Sequence, residues 1–194
     1  MLGLRGAQKE RYIMLDIMTN EEFDAVFRIM EQSFPSDERR PREEQRALLN
    51  DPRYTVFVRR DGERVAAFIA VWRFETFCFI EHFAVEESHR NSGIGGRMLT
   101  DLAALVKSPL CLEAEPPEDA LTKRRVGFYE RHGFSLNPYP YLQPPISKGK
   151  NTIPLVLMSS NGVLTEAQFQ RIKAVLYREV YQIQNERITE EDVI

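Results

Sequence analysis

The stretch His89-Arg90-Asn91-Ser92-Gly93-Ile94-Gly95-Gly96-Arg97 constrains the fold of this chain more than any other. Before it, Phe77 to Val85 is an apolar, aromatic-rich run of strand length. After it, Met98, Leu99, Leu102, Ala103 and Val106 recur at helical spacing. The order is strand, basic glycine-rich turn, helix. Closely spaced glycines let main chain come near a ligand, and the unpaired N–H groups that open a helix attract phosphate. The segment therefore predicts a pyrophosphate cradle.

Two familiar phosphate loops are excluded by the letters present. A Walker A loop ends in Gly-Lys-Ser/Thr, whereas Gly95-Gly96 is followed by Arg97-Met98. A dinucleotide fingerprint needs a third glycine where this chain has Met98. What remains is Arg-x-x-Gly-x-Gly, Arg90 to Gly95, directly after a strand ending in Ala84-Val85. It resembles the acyl-CoA loop of the GNAT superfamily of N-acetyltransferases. A tight turn without ligand is the competing reading, and a second segment bears on the choice. Val126-Gly127-Phe128-Tyr129-Glu130-Arg131-His132-Gly133-Phe134 resembles the later helix of that family, which ends Phe-Tyr-x-x-x-Gly-Phe. One helix and one strand separate the two segments, as the family order requires. The resemblance covers residues 12–158, read as an acetyltransferase domain, and leaves 159–194 as a C-terminal helical extension.

The resemblance implies a mixed α/β fold: a mostly antiparallel sheet of six or seven strands, helices on both faces, and two central parallel strands splayed apart to admit acyl-CoA. Those strands are residues 77–85 and 109–115. It further implies that pantetheine lies along the backbone of Phe83, Ala84 and Val85. The pyrophosphate is to meet Arg90, Asn91, Ser92, Gly93, Ile94 and Gly95, with Gly96 and Arg97 close by. Thr122 stands where many relatives carry Asn, and is a cofactor contact of shorter reach. Arg125 is either a CoA phosphate contact or part of a solvated helix face, and His132 reads as surface.

The implied reaction is direct acetyl transfer from the thioester to an amine. An amine is largely protonated at pH 7, so a base must take its proton. Strand alternation places Phe79, Glu81 and Phe83 on one face, with Ile80, His82 and Ala84 on the other. A carboxylate in so apolar a stretch is costly unless it has a purpose. The family often carries a base on this strand, so Glu81 is the candidate, acting directly or through water. An ion pair with a neighbouring arginine is the alternative. Tyr129 matches the family tyrosine near the CoA sulfur, the candidate general acid. A CoA-binding sensor or scaffold without turnover is the other function class, and Glu81 with Tyr129 favours the enzyme.

The acceptor is expected beside Phe34 and Arg39, in the Ser33–Pro41 break between two helices, and beside Tyr139 and Tyr141. In Asn137-Pro138-Tyr139-Pro140-Tyr141-Leu142-Gln143-Pro144-Pro145 the prolines remove donors and rule out an ordinary central strand. The competing reading is an edge strand whose tyrosines cover the core. A polyamine, an amino acid, an antibiotic and a protein N-terminus or lysine all remain open as acceptors.

Composition bears on what else the chain meets. A net charge of −3 offers no general attraction to nucleic acid or anionic membrane. The two cysteines, Cys78 and Cys111, sit in apolar runs as reduced core residues, with no metal-binding spacing. No stretch reads as a leader or a membrane span, so a cytoplasmic monomer or homodimer is the expectation. Elsewhere, Thr19-Asn20-Glu21-Glu22 and Thr165-Glu166-Ala167-Gln168 are capping boxes, and Asp61-Gly62 is a hairpin turn. Phe169, Ile172, Leu176, Val180 and Ile183 share one helical face, expected to pack on this same chain.

Overall fold

The computed structural model describes residues 15–183. The sequence also reads a loose start over residues 1–10, a first strand from Tyr12 to Met18 and an acidic tail over 186–194; the start, the first part of that strand and the tail lie outside the described residues. Thr19 opens the first helix as its letters require: its N–H donates to Glu22 at 2.8 Å, and a 3₁₀ turn leads into α1, Phe23–Ser33. Helix α2 is short, Arg42–Ala47. The sheet begins with β1, Asp16–Ile17, then β2, Tyr54–Asp61, and β3, Arg64–Arg73, joined at Gly62 with φ +59°. Next come β4, Cys78–Val85, α3, Ile94–Val106, β5, Leu110–Ala114, and α4, Ala120–Arg131. The chain continues through β6, Ser135–Leu136, β7, Tyr141–Gln143, and β8, Ile153–Ser159, to α5, Glu166–Val175, whose last turn widens to a π-helix over Leu176–Val180.

The strands form one eight-stranded sheet ordered β1-β2-β3-β4-β5-β8-β6, with β7 also on β8. The count exceeds six or seven because the stretch over 134–142, which reads as one arm of a closing hairpin with Ile153 to Met158, holds two short strands, β6 and β7. Between them buried Asn137 leaves the ladder, donating to the Leu157 carbonyl at 2.9 Å and accepting from Leu164 N–H at 2.8 Å. The proline-flanked segment thereby holds the start of the C-terminal helix.

Only β4 and β5 run parallel among the described strands, pairing at Cys78↔Leu110, Phe79↔Cys111 and Ile80↔Leu112 and no further. The split begins at a bulge. Across β3, Ala70 faces His82 and Val71 faces Ile80, leaving Glu81 as the extra residue. A bulge bends its strand and resets the alternation after it. Simple alternation therefore fails at Glu81. Phe79 and Ala84 belong to the core under α1 and α5, whereas Ile80, Phe83 and Val85 belong to the core under α3 and α4. Glu81 turns toward the α1 side and does not share a face with Phe83.

Both sheet faces are covered, as the resemblance implied. Phe23, Met30, Phe79, Leu157, Phe169 and Leu176 are buried on one, and Ile80, Met98, Leu102, Leu112, Val126 and Met158 on the other. The C-terminal helix lies on its own chain, with Phe169 and Leu176 fully buried. At about 0.8 kcal/mol per buried methylene, those side chains alone fix that helix firmly. Cys78 and Cys111 are free and buried, and burial pushes the Cys111 thiol well up.

Candidate active site

The parting of β4 from β5 opens a cavity of about 630 Å³. One end is main chain and arginine. Gly93 caps α3 at φ +79°, and the first N–H to bond within the helix is that of Arg97, to Gly93 at 3.2 Å. The N–H groups of Ile94, Gly95 and Gly96 precede the ladder, and these residues line the cavity. Phe83, Ala84, Val85, Arg90 and Asn91 line it too, joined by Arg124 and Arg131 from α4. Arg124 bonds Asn91 at 2.9 Å, holding the loop to that helix.

The glycines serve packing as much as ligand approach. A Cβ on Gly96 would lie 2.3 Å from His132 Nε2, and one on Gly95 would lie 3.3 Å from Phe83 and 3.4 Å from Phe128. His132 is thus not a bare surface residue: it accepts α3's close approach and meets the Phe128 carbonyl at 2.7 Å.

Three expected cofactor residues are engaged elsewhere. Ser92 donates to the His89 carbonyl at 2.6 Å, and Arg97 reaches the Ser92 carbonyl at 3.4 Å beside Arg59, away from the cavity. Thr122 is buried in the capping box of α4, where Asp119 accepts from its N–H at 2.8 Å and its hydroxyl also faces Asp119. A side chain that completes a helix cap cannot also reach pantetheine. Arg125 pairs with Glu115.

The other end of the cavity is acidic, with Glu38, Glu81, Glu113 and Glu115 in its wall. Glu81 is held in an ion pair. Its Oε1 receives Arg40 Nη1 at 2.6 Å, and both side chains are nearly inaccessible, at 6% and 2%. Burial would push the carboxyl up, but Arg40 and the neighbouring His82 hold it down at about 2. So weak a proton acceptor holds almost no proton near neutrality. The ion pair, set out as the alternative, is what the fold contains. His82 is buried and bonded, its Nε2 2.8 Å from the Glu38 carbonyl.

Glu113 on β5 is in the opposite state. Burial raises its carboxyl, phenolic hydrogen bonds from Tyr141 and Tyr181 pull it back, and the charges of Glu81 and Glu38 raise it again, to about 7. Tyr181 donates at 2.6 Å to Oε2, and Tyr141 donates to Oε1. Leu110-Cys111-Leu112-Glu113-Ala114 carried the same signal as Glu81, one acid in an apolar strand, and sequence reasoning passed it over. Glu38 is half-buried, with no hydrogen bond or ion pair to its carboxylate among the described residues; burial raises it, as does Glu115.

Tyr129 lines the cavity between the two ends. Burial lifts its phenol to about 12, so it stays protonated across the neutral range, and its hydroxyl has no partner among the described residues. Phe34 is in the wall, edge-on to His82 with ring centroids 4.8 Å apart. Arg39 faces outward to Glu31 at 3.4 Å, and Arg40, not Arg39, turns in. Neither Tyr139 nor Tyr141 is a wall residue. Both pack on Phe169, and the Tyr139 hydroxyl donates to the Leu164 carbonyl at 3.1 Å. The acceptor-site expectation for these tyrosines gives way to core cover, because the C-terminal helix occupies the face they present.

Comparison with known proteins agrees with this geometry. Residues 23–134 match the model of the acetyltransferase (GNAT) family. The chain belongs to that family. It resembles YjbC of Bacillus subtilis (strain 168), which carries a provisional acetyltransferase name, with 29% identity over 107 residues, 54% of each chain. The matched segment thus spans about half the length of that curated relative. Among solved structures, a GNAT-family protein from Bacteroides thetaiotaomicron superposes with TM-score 0.79 at 31% identity, covering 88% of this chain and 99% of its own. The fold is also that of Arabidopsis thaliana NAA60 in complex with acetyl-CoA, TM-score 0.58 at 15% identity over 75% of this chain and 96% of that one. Among the described residues no helix is long and apolar enough to cross a membrane, and no group of His, Cys, Asp and Glu could hold a metal ion.

Proposed function

We propose that this protein transfers an acetyl group from acetyl-CoA to a primary amine by direct attack, with Glu113 accepting the amine proton and Tyr129 protonating the departing sulfur. The observation that carries the reading is the single cavity. It runs from the N–H groups at the head of α3, through the split between β4 and β5, to a carboxylate titrating near neutrality.

Acetyl-CoA fits the residues present and would supply an activated acetyl thioester. Ile94, Gly95 and Gly96 N–H groups, with Arg90, Arg124 and Arg131, suit its pyrophosphate. Backbone of Phe83 to Val85, unpaired on the β5 side, suits the amides of its pantetheine arm. The Glu113 carboxylate takes a proton from the bound ammonium, and the neutral amine can then attack. A carboxylate near pH 7 suits this step, since a base works best when its pKa lies near the working pH. Tyr129 delivers its phenolic proton to the thiolate and is restored from solvent. Glu81, fixed to Arg40, shapes the bulge that opens the split. Glu38, a carboxylate in the same wall that has no partner among the described residues, suits a cationic acceptor.

The non-catalytic sensor reading gains nothing from Glu113, since binding acetyl-CoA needs no titrating carboxylate beyond the phosphate end. Acetyl-CoA should raise the melting temperature by mass action. A panel of amines should release CoA thiol with at least one member. Stabilisation by acetyl-CoA with no thiol release from any amine would favour the sensor, and no stabilisation at millimolar acetyl-CoA would count against the whole reading.

A further inference from the structure

The family match ends at Phe134, yet one of the two residues that donate to Glu113 comes from the far end of the chain. We propose that the C-terminal helix is a working part of the active site, with Tyr181 as the positioning residue that orients the Glu113 carboxylate toward the cavity. This rests on the assignment of Glu113 as the base.

The geometry of one widened turn carries the inference. Tyr181 N–H bonds the Leu176 carbonyl at 3.1 Å, five residues back, so Leu176–Val180 is a π-helical turn. Such turns often mark functional sites, because the extra residue re-aims the side chains around it. Here the turn addresses both carboxylates of the split. Its Val180 carbonyl, left outside the helical ladder, accepts from Arg40 Nη2 at 3.0 Å, and the other end of that guanidinium holds Glu81. Tyr181 hydroxyl donates to Glu113 at 2.6 Å. Tyr177 donates to the Leu142 carbonyl of β7, next to Tyr141, which supplies the second phenol on Glu113. Glu179 anchors the outer side to Arg53 at 2.7 Å.

A packing helix needs only its apolar face, and Phe169 and Leu176 already provide one. The polar reach of Tyr181 and Val180 goes beyond that need. With one phenol on each oxygen, the carboxylate cannot rotate, and its remaining lone pairs are left for the substrate. Burial and then the Glu113 charge raise the Tyr141 and Tyr181 phenols, so both remain donors throughout the neutral range. The titratable groups facing Glu113 are Tyr141 of β7, Tyr177 and Tyr181 of the C-terminal turn, Glu81 of β4, Glu38 of the Ser36–Glu38 turn, and Cys111 of its own strand. Of these, only Tyr141 and Tyr181 donate to it.

The test is a titration of the full chain, read by carboxyl carbon NMR with labelled glutamate and by the pH profile of kcat/KM. A donor to a carboxylate favours the ionised form, so Tyr181→Phe should move the Glu113 midpoint and the acid limb of the profile up by about one pH unit. The KM for acetyl-CoA should not change. Tyr177→Phe removes a hydroxyl from the same aromatic cluster but from a different acceptor, and should leave both midpoint and limb in place. In the parent protein the Cζ resonance of Tyr181 should follow the Glu113 titration with a larger shift than that of Tyr177, which faces Glu113 without donating to it, a measurement that needs no variant to fold. An unmoved midpoint and limb in Tyr181→Phe, with Glu113→Gln inactive, overturns the positioning role and leaves the base assignment standing. Full turnover in Glu113→Gln overturns both.

Discussion

The two strands that part to form the cavity each carry one glutamate at the split, and the fold treats them oppositely. On β4, Glu81 meets a guanidinium and is held at about 2; on β5, Glu113 meets two phenols and is raised to about 7. The residues are the same and so is the strand context, one acid among apolar neighbours. The difference is the partner. A cation compensates the charge and fixes the carboxylate as structure. A neutral donor satisfies its oxygens without compensating the charge, and leaves it able to take a proton. Burial alone therefore does not make a base, and an isolated acid in an apolar strand does not say which kind it is.

That contrast can be broken most severely from the β4 side. Arg40→Ala strips the partner from a carboxylate that is 2% exposed and should destabilise the fold by about 3–5 kcal/mol, measured by denaturant unfolding. A loss below about 1 kcal/mol would mean the pair is solvated and Glu81 is again open as a base. On the β5 side the effect should fall on rate: Glu113→Gln should slow acetyl transfer by about 10²-fold or more while acetyl-CoA binding persists.

The two carboxylates also predict opposite pH limbs of stability. The Glu81 carboxyl lies below its unfolded value of 4.5, so its contribution is present above that pH and is lost as pH falls toward about 2. The Glu113 carboxyl lies above the same unfolded value, so the folded state holds its proton longer and stability declines as pH rises from 4.5 through about 7, by roughly 1–3 kcal/mol. Glu113→Gln should abolish that neutral decline and leave the acid loss untouched; a decline that survives in the variant would assign it to another group. Smaller still, Tyr129→Phe should lower kcat by about tenfold without weakening acetyl-CoA binding, since it removes one proton donor and no binding contact. Equal turnover in parent and variant would pass the proton to solvent.

The glycine-rich turn was legible because it is local. Arg90 to Gly96, the strand before and the helix after are contiguous, and a helix start presents its N–H groups wherever it is placed. The capping boxes and the apolar face of the last helix came from the same kind of short-range pattern, whereas the split strands came from the family resemblance. Thr122 and Tyr139 misled because their alternatives, a helix cap and a core contact, depend on what lies opposite.

The carboxylate end could not be read in this way. Arg40 lies 41 positions before Glu81, Tyr181 lies 68 after Glu113, and one extra residue in β4 turns Glu81 away from Phe83. The sequence by itself determined the family, the order of elements and the glycine-rich turn that opens α3, since periodicity and turn chemistry act over a few residues. Which glutamate is locked in an ion pair and which is raised toward neutrality was decided only by the tertiary structure. A carboxyl group takes its acidity from the burial and the partners that folding brings to it.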